Sequence, residues 1–345
     1  MADKVFRVDF HTHVFPRELP ALAKRYGDER WPHLEADGPD AAQIVLGSTA
    51  YRRLTDQAWS AARRIEDMDR EAVDIQVISP TPITFGYWGD PRGTAELSRY
   101  QNDFVARMVS EHPKRFIGLG TVALQDADSA IAEMVRARDE LKLAGIEIGA
   151  NVAGDGLHIP ALRPFFKAAA DLSCPLFIHP TNEPFSVPES FKRAALQGLY
   201  QTVGMPVETA VAAGTLIFGG VMTELPNLRI CLAHGGGPLC WVAPRMGFFW
   251  EHTQSPAARL PVNPLELVRS FWADTLTYDV GNLILLGTRI GTDKMMVGTD
   301  YPFDAREIPP GAVLDEAGRM GAFSAVEIDA MRGANALRFL NAAVR

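Results

Sequence analysis

At 345 residues the chain is long for an ordinary domain, yet barrels of alternating strands and helices commonly exceed about 250 residues as one unit. Hydrophobic residues make up 47% and charged residues 22%, which describes a full core, and no apolar run approaches the roughly 20 residues that cross a bilayer. A net charge of −8 excludes an extended nucleic-acid surface and leaves room for a local basic pocket.

The first strand is predicted over Phe6–Phe10 and runs out at His11-Thr12-His13. Alternate residues of a strand share a face, so this His-x-His aims two imidazoles into one space, the outline of a metal clamp. The residues before it, Met1-Ala2-Asp3-Lys4, contain no apolar signal stretch, and a cytoplasmic location is expected. The interval 17–60 breaks the spacing with Pro20, Pro32, Gly38 and Pro39 and carries strand-like pieces at Gln43–Gly47 and Ala50–Arg53. Tyr26, Trp31, Ile44, Val45, Leu46 and Tyr51 could build a packed patch there, so it reads as a small insertion over a barrel mouth.

Further strands are expected at Val73–Ser79, Phe116–Val122, Gly145–Gly149, Pro175–His179, Arg229–His234, Leu276–Val280 and Met295–Asp300. The segments between them carry helical spacing, as in Leu97, Tyr100, Phe104 and Met108, or Ile131, Met134, Val135 and Leu141. Buried parallel strands alternating with helices, eight times over, indicate a (β/α)8 TIM-like barrel in a single domain over 1–345. Helices at Ala325–Met331 and Ala334–Phe339 are expected to cover it. Cys174, Cys231 and Cys240 form no Cys-x-x-Cys and no paired framework, which fits a reducing compartment and core positions for all three.

Three later strands end in groups that match the first. The fifth closes on His179-Pro180, the sixth on His234-Gly235-Gly236-Gly237, and the eighth on Asp300-Tyr301-Pro302. Strand C-termini form the active face of such a barrel, so His11, His13, His179, His234 and Asp300 should converge there. Three imidazoles and a carboxylate suit Zn²⁺ or another first-row divalent ion. Five candidates leave one over, and His234 is set outside the ligand set. The glycines after it let the backbone approach a ligand closely and leave its ring free as a base. No lysine on the fourth strand could bridge two metals, so one ion is expected. His33, His112, His158 and His252 read as structural or solvent-facing, and no glycine pattern indicates a nucleotide cofactor.

The set His11-x-His13, His179-Pro180, His234-Gly-Gly-Gly and Gly298-Thr299-Asp300-Tyr301-Pro302-Phe303 resembles the amidohydrolase superfamily in its branch of metal-dependent, non-oxidative decarboxylases. The resemblance extends through Arg64-Ile65-Glu66-Asp67-Met68-Asp69, Thr81 to Tyr87 and Met205-Pro206-Val207-Glu208-Thr209. It implies that His11, His13, His179 and Asp300 hold one divalent ion, zinc first and manganese second, and that His234 with Asp300 carries the chemistry. It also implies substrate binding by Arg52 and Phe85 and by Arg245 of the partner subunit, hence a homodimer or an oligomer built from dimers. Two arginines suit an acidic substrate, because guanidinium forks grip carboxylates in bidentate fashion. Within the branch, tryptophans can follow the His-Pro; here the stretch reads Thr181-Asn182-Glu183-Pro184-Phe185, which suggests a different ring or side group.

The expected activity is release of CO₂ from an aromatic or muconate-type carboxylic acid. Either water activated with the help of His234 adds to a double bond, or Asp300 or His234 protonates carbon first. A hydrolase of a lactone, amide or C–C bond is the main alternative, and a non-catalytic metal- or carboxylate-binding barrel is a rival of another class.

Overall fold

The computed structural model describes residues 6–181, 198–253 and 260–343. Strand β1 (Val8–Val14) leads into an antiparallel sheet of β2 (Pro32–Ala36), β3 (Ala41–Leu46) and β4 (Thr49–Thr55). There follow β5 (Ile75–Pro80), β6 (Phe116–Gly120), β7 (Gly145–Gly149), a hairpin of β8 (Asn151–Val152) and β9 (Asp155–Gly156), and β10 (Leu176–His179). The chain ends its strands with β11 (Ile230–Leu232), β12 (Trp272–Asp274) and β13 (Met295–Met296). Eight of them form one parallel sheet in the order β1-β5-β6-β7-β10-β11-β12-β13. The ring closes through the continuation of β13: Phe10 N donates to Val297 O at 2.8 Å, and His13 N to Tyr301 O at 2.7 Å. This is the (β/α)8 barrel that the spacing predicts.

The connecting helices follow their local signals. In Pro91–Glu111 the Asp90 carboxylate accepts from Arg92 N, proline takes the first turn, and Leu97, Gln101, Val105 and Met108 form the buried stripe. The C-terminal helical segment starts at a capping box between Ser324 and Glu327 and runs to Leu340. Its Ala336, Phe339 and Leu340 pack on Val8, Phe10, Ile75 and Trp272, plugging the end of the barrel where the strands begin. Burying Phe339 contributes about 1.5–3 kcal/mol, and leaves the opposite end as the open mouth.

The insertion folds as expected in position but in two clusters rather than one patch. Ile44 and Leu54 pack with Phe15, Ala58 and Ile83, whereas Trp31 packs with Leu22 and Leu97. The seventh strand is a correction: it is Trp272–Asp274, not Leu276–Val280. Tyr278 sits at φ +58°, and the Asp279 carboxylate caps the helix Val280–Ile290 by accepting from Asn282 N, so the predicted strand is a turn and a helix start. Among the described residues no helix is long and apolar enough to cross a membrane.

Candidate metal centre

A bulge shapes the first element of the site. The pairing of β1 with β5 shifts register between Asp9 and Thr12, so the strict alternation of side chains is interrupted. Phe10 and His11 therefore both reach Phe177 inside the barrel, at ring separations of 5.2 and 4.9 Å, and His13 follows on the same side. Donor atoms of His11, His13, His179 and Asp300 lie within 4.8 Å of one another. Nε2 of His11 is 3.0 Å from Nε2 of His13, and Asp300 Oδ1 is 3.5 and 3.2 Å from these two nitrogens.

The far side of each ring is tied down. His11 Nδ1 donates to Asp274 Oδ2 at 2.8 Å and His179 Nδ1 donates to Pro180 O at 2.8 Å, which turns both Nε2 atoms toward the common centre. His179 Nε2 and Asp300 Oδ1 are buried atoms with no hydrogen-bond partner among the described residues. Burial drives the His13 pKa down to about 4, and burial with three neighbouring imidazoles drives His179 well below the usual histidine range. Burial alone would raise Asp300, but the adjacent imidazoles of His13, His234 and His11 outweigh it and hold the carboxylate well below its ordinary value. The neutral imidazoles of His13 and His179 around an ionised carboxylate, with buried orphan atoms converging, are the protonation and geometry that a divalent cation requires.

His234 stands beside this group. Its Nε2 is 3.7 Å from Asp300 Oδ2, and its ring lies 5.2 and 5.0 Å from those of His11 and His179. Of the glycines that follow, Gly235 and Gly237 line the cavity above this group, and a Cβ on Gly237 would also meet Pro206 O at 2.0 Å, so that glycine lets the helix Met205–Phe218 pack against the turn.

A cavity of ≈ 940 Å³ opens over His179, His234 and Asp300, and Arg52, Arg53, Leu54 and Gln57 form part of its wall. The insertion thus borders the mouth as predicted. Arg53 is paired with Asp37, whereas the Arg52 guanidinium sits 4.3 Å from the Phe303 ring centroid and has no carboxylate partner among the described residues. The other two expected substrate contacts are not brought to this wall. Phe85 is fully buried and stacked on Tyr87 at 5.6 Å, and Arg245 is exposed on the helix Leu239–His252 beside the outward-facing Trp241 and Phe248. Asn182 to Phe185 lie outside the described residues.

Two acidic residues were not anticipated. Asp274 ends β12 and accepts from His11, from the main-chain N–H groups of His234 and Gly235, and from Leu276 N. Glu147, inside β7, is fully buried with Oε1 3.8 Å from His13 Nδ1, and burial raises its carboxyl well above the usual range. The apolar run Phe271-Trp272-Ala273 ending in an acid was the available signal for Asp274. Glu147 stood in view in Gly145-Ile146-Glu147-Ile148-Gly149, a charged residue within an otherwise apolar strand.

The chain matches the family model described as amidohydrolase over residues 8–342. It is 38% identical over 335 residues to the 2-amino-3-carboxymuconate-6-semialdehyde decarboxylase of Dictyostelium discoideum, covering 97% of this chain and 91% of that one. The fold is similar to that of 5-carboxyvanillate decarboxylase from Sphingomonas paucimobilis, with TM-score 0.80 and 24% identity over 98% of this chain and 100% of the other. It is similar also to a dihydroxybenzoic acid decarboxylase from Polaromonas sp. JS666 solved with bound manganese, with TM-score 0.75 and 20% identity over 97% of each chain.

Proposed function

The chain belongs to the amidohydrolase family, and from that premise we propose that it is a divalent-metal-dependent, non-oxidative decarboxylase acting on an aromatic or muconate-type carboxylic acid. The observation that carries this reading is the convergence of His11, His13, His179 and Asp300 within 4.8 Å beneath a cavity bordered by Arg52, which has no carboxylate partner among the described residues. These four residues would hold one ion, zinc first and manganese second. The similarity to a decarboxylase of 2-amino-3-carboxymuconate-6-semialdehyde supports a substrate of that kind.

Decarboxylation leaves an electron pair on carbon as CO₂ departs, and when bound the ion supplies the Lewis acidity that lowers this cost. The Arg52 fork grips a substrate carboxylate and orients it. Its stacking on Phe303 fixes the plane of that fork without neutralising it. His234 is the acid/base: the C–C bond to the carboxylate breaks, the pair stays on carbon, and a proton from His234 Nε2 takes the place of CO₂. Asp300, 3.7 Å away, steadies the charged form of that imidazole. The second anionic group of the substrate meets Arg245 of the partner subunit, so the active unit is a homodimer, working in the cytoplasm.

The deciding experiment is a turnover screen of metal-loaded protein against carboxymuconate semialdehydes, hydroxybenzoates and carboxyvanillate-like acids. Release of CO₂ without incorporation of water into the product is expected. Hydrolysis of a lactone or amide, with no CO₂ from any acid, would overturn the reading.

A further inference from the structure

We infer that Asp274 is a positioning residue that sets two groups at once, the ligand nitrogen of His11 and the main chain that carries His234. The inference rests on the metal-centre reading above, and its observations are hydrogen bonds. Asp274 is fully buried. Its Oδ2 accepts from His11 Nδ1 at 2.8 Å and from His234 N at 2.9 Å; its Oδ1 accepts from Gly235 N at 2.8 Å and from Leu276 N at 3.1 Å.

Four donors occupy the four acceptor sites of one carboxylate. With main-chain donors fixed on both oxygens, the carboxylate can only accept at His11, so the imidazole must carry its proton on Nδ1. Nε2 is then bare on the side where His13 and Asp300 stand. At the other end, His234 and Gly235 both lie at positive φ, +55° and +61°, which turns successive N–H groups toward one anion. His234 Nδ1 has no hydrogen-bond partner among the described residues, so no bond on that edge of the ring orients it. Its placement beside Asp300 is set by the turn, and the turn is held by Asp274.

Asparagine of nearly equal shape cannot do both tasks. With its oxygen toward Gly235 and Leu276, its amide nitrogen faces His11 and the His234 N–H; the first must then accept, moving the ring proton to Nε2, and the second has no acceptor. With the amide reversed, His11 keeps its tautomer, but the N–H groups of Gly235 and Leu276 face another donor.

The test is titration of metal-free wild-type protein and D274N with Zn²⁺ and Mn²⁺, followed by kinetics at saturating metal. D274N is expected to bind the ion about 10- to 100-fold more weakly, the usual effect of removing a partner behind a ligating histidine. At saturating metal its kcat should fall at least ~10-fold with KM little changed, because the acid/base and not the substrate grip is displaced. Wild-type affinity and kcat in D274N would overturn the inference while leaving the metal-centre reading intact; a wild-type protein that bound no divalent ion would overturn both. If D274N does not fold, ¹⁵N-histidine spectra of metal-free wild type decide. An exchange-protected Nδ1–H that disappears in H11Q is expected, and a His11 ring protonated on Nε2 would overturn the assignment.

Discussion

Arg64 Nη1 donates to the main-chain oxygen of His13 at 2.7 Å from a side chain with no exposed surface. The same guanidinium donates to Gln57 O at 3.0 Å, to Thr12 Oγ1 at 2.9 Å and, through Nε, to Gln76 Oε1 at 3.0 Å. Its carbon lies 4.5 Å from the centroid of the Tyr301 ring, whose hydroxyl donates to Asp67. One buried cation thus joins the helix Ala61–Arg70, the end of β1 and the loop that carries Asp300.

Burial lowers the Arg64 pKa to about 10, so the group remains charged at neutral pH, and its removal strands the carbonyl of His13 with the neighbouring acids. Arg64→Met is expected to destabilise the protein by about 3–5 kcal/mol, the scale for breaking a buried charge network. Urea denaturation measures it. A loss under about 1 kcal/mol would mean that water or a rearranged side chain replaces the guanidinium.

Chelation should abolish turnover, and readdition of one equivalent of Zn²⁺ or Mn²⁺ per chain should restore it. His179→Ala, which removes one of the four proposed ligands, is expected to lose the ion. His234→Ala should keep near-stoichiometric metal and lose at least ~10²-fold in kcat. Metal analysis beside kinetics separates the two variants; equal metal loss in both would put His234 among the ligands.

Glu307 follows the Asp300 loop and is buried, its Oε1 accepting from Val313 N at 2.7 Å. Burial pushes its carboxyl up to about 7 against the pull of that N–H. The folded state then holds a proton that the unfolded chain releases near pH 4.5. The resulting stability is complete below that pH and is lost as pH rises toward 7, by roughly 3 kcal/mol in all. Glu307→Gln should flatten this part of the stability–pH curve and be the more stable protein at pH 7.5. An unchanged slope in urea midpoints between pH 5 and 7 would assign the proton elsewhere.

Arg245 is exposed and outside the wall of its own cavity, which fits service to a neighbouring site. His234→Ala and Arg245→Ala homodimers are each expected to be nearly inactive. Mixed dimers should regain one working site, since the Arg245→Ala chain keeps its His234 and borrows an intact Arg245. A lost bidentate contact costs a few kcal/mol, about two orders of magnitude in kcat/KM, so recovery stands clear of background. Confirmed subunit exchange with only the summed activities would show that Arg245 does not act in trans.

The barrel and the convergence of His11, His13, His179 and Asp300 were legible in the sequence because both depend on short-range pattern. Apolar strands of a few residues alternate with helical spacing, and a polar group directly after such a strand lands at the mouth whatever the rest of the chain does. His179 after Leu176-Phe177-Ile178 and Asp300 after Met295 to Thr299 needed no long-range information. The seventh strand was misplaced because Trp272–Asp274 is three residues long, too short for periodicity to separate from the apolar Leu276–Val280 that follows. Only closure of the ring decided which of the two lies beside β11 and β13. Closure also determined what no local pattern carries: the bulge that turns both Phe10 and His11 inward, the burial of Phe85 away from the cavity, and the contact between Asp274 and His11 across 263 residues of chain. Those features depend on which side chains compete for the same space inside a closed sheet, and that competition exists only once all eight strands are in register.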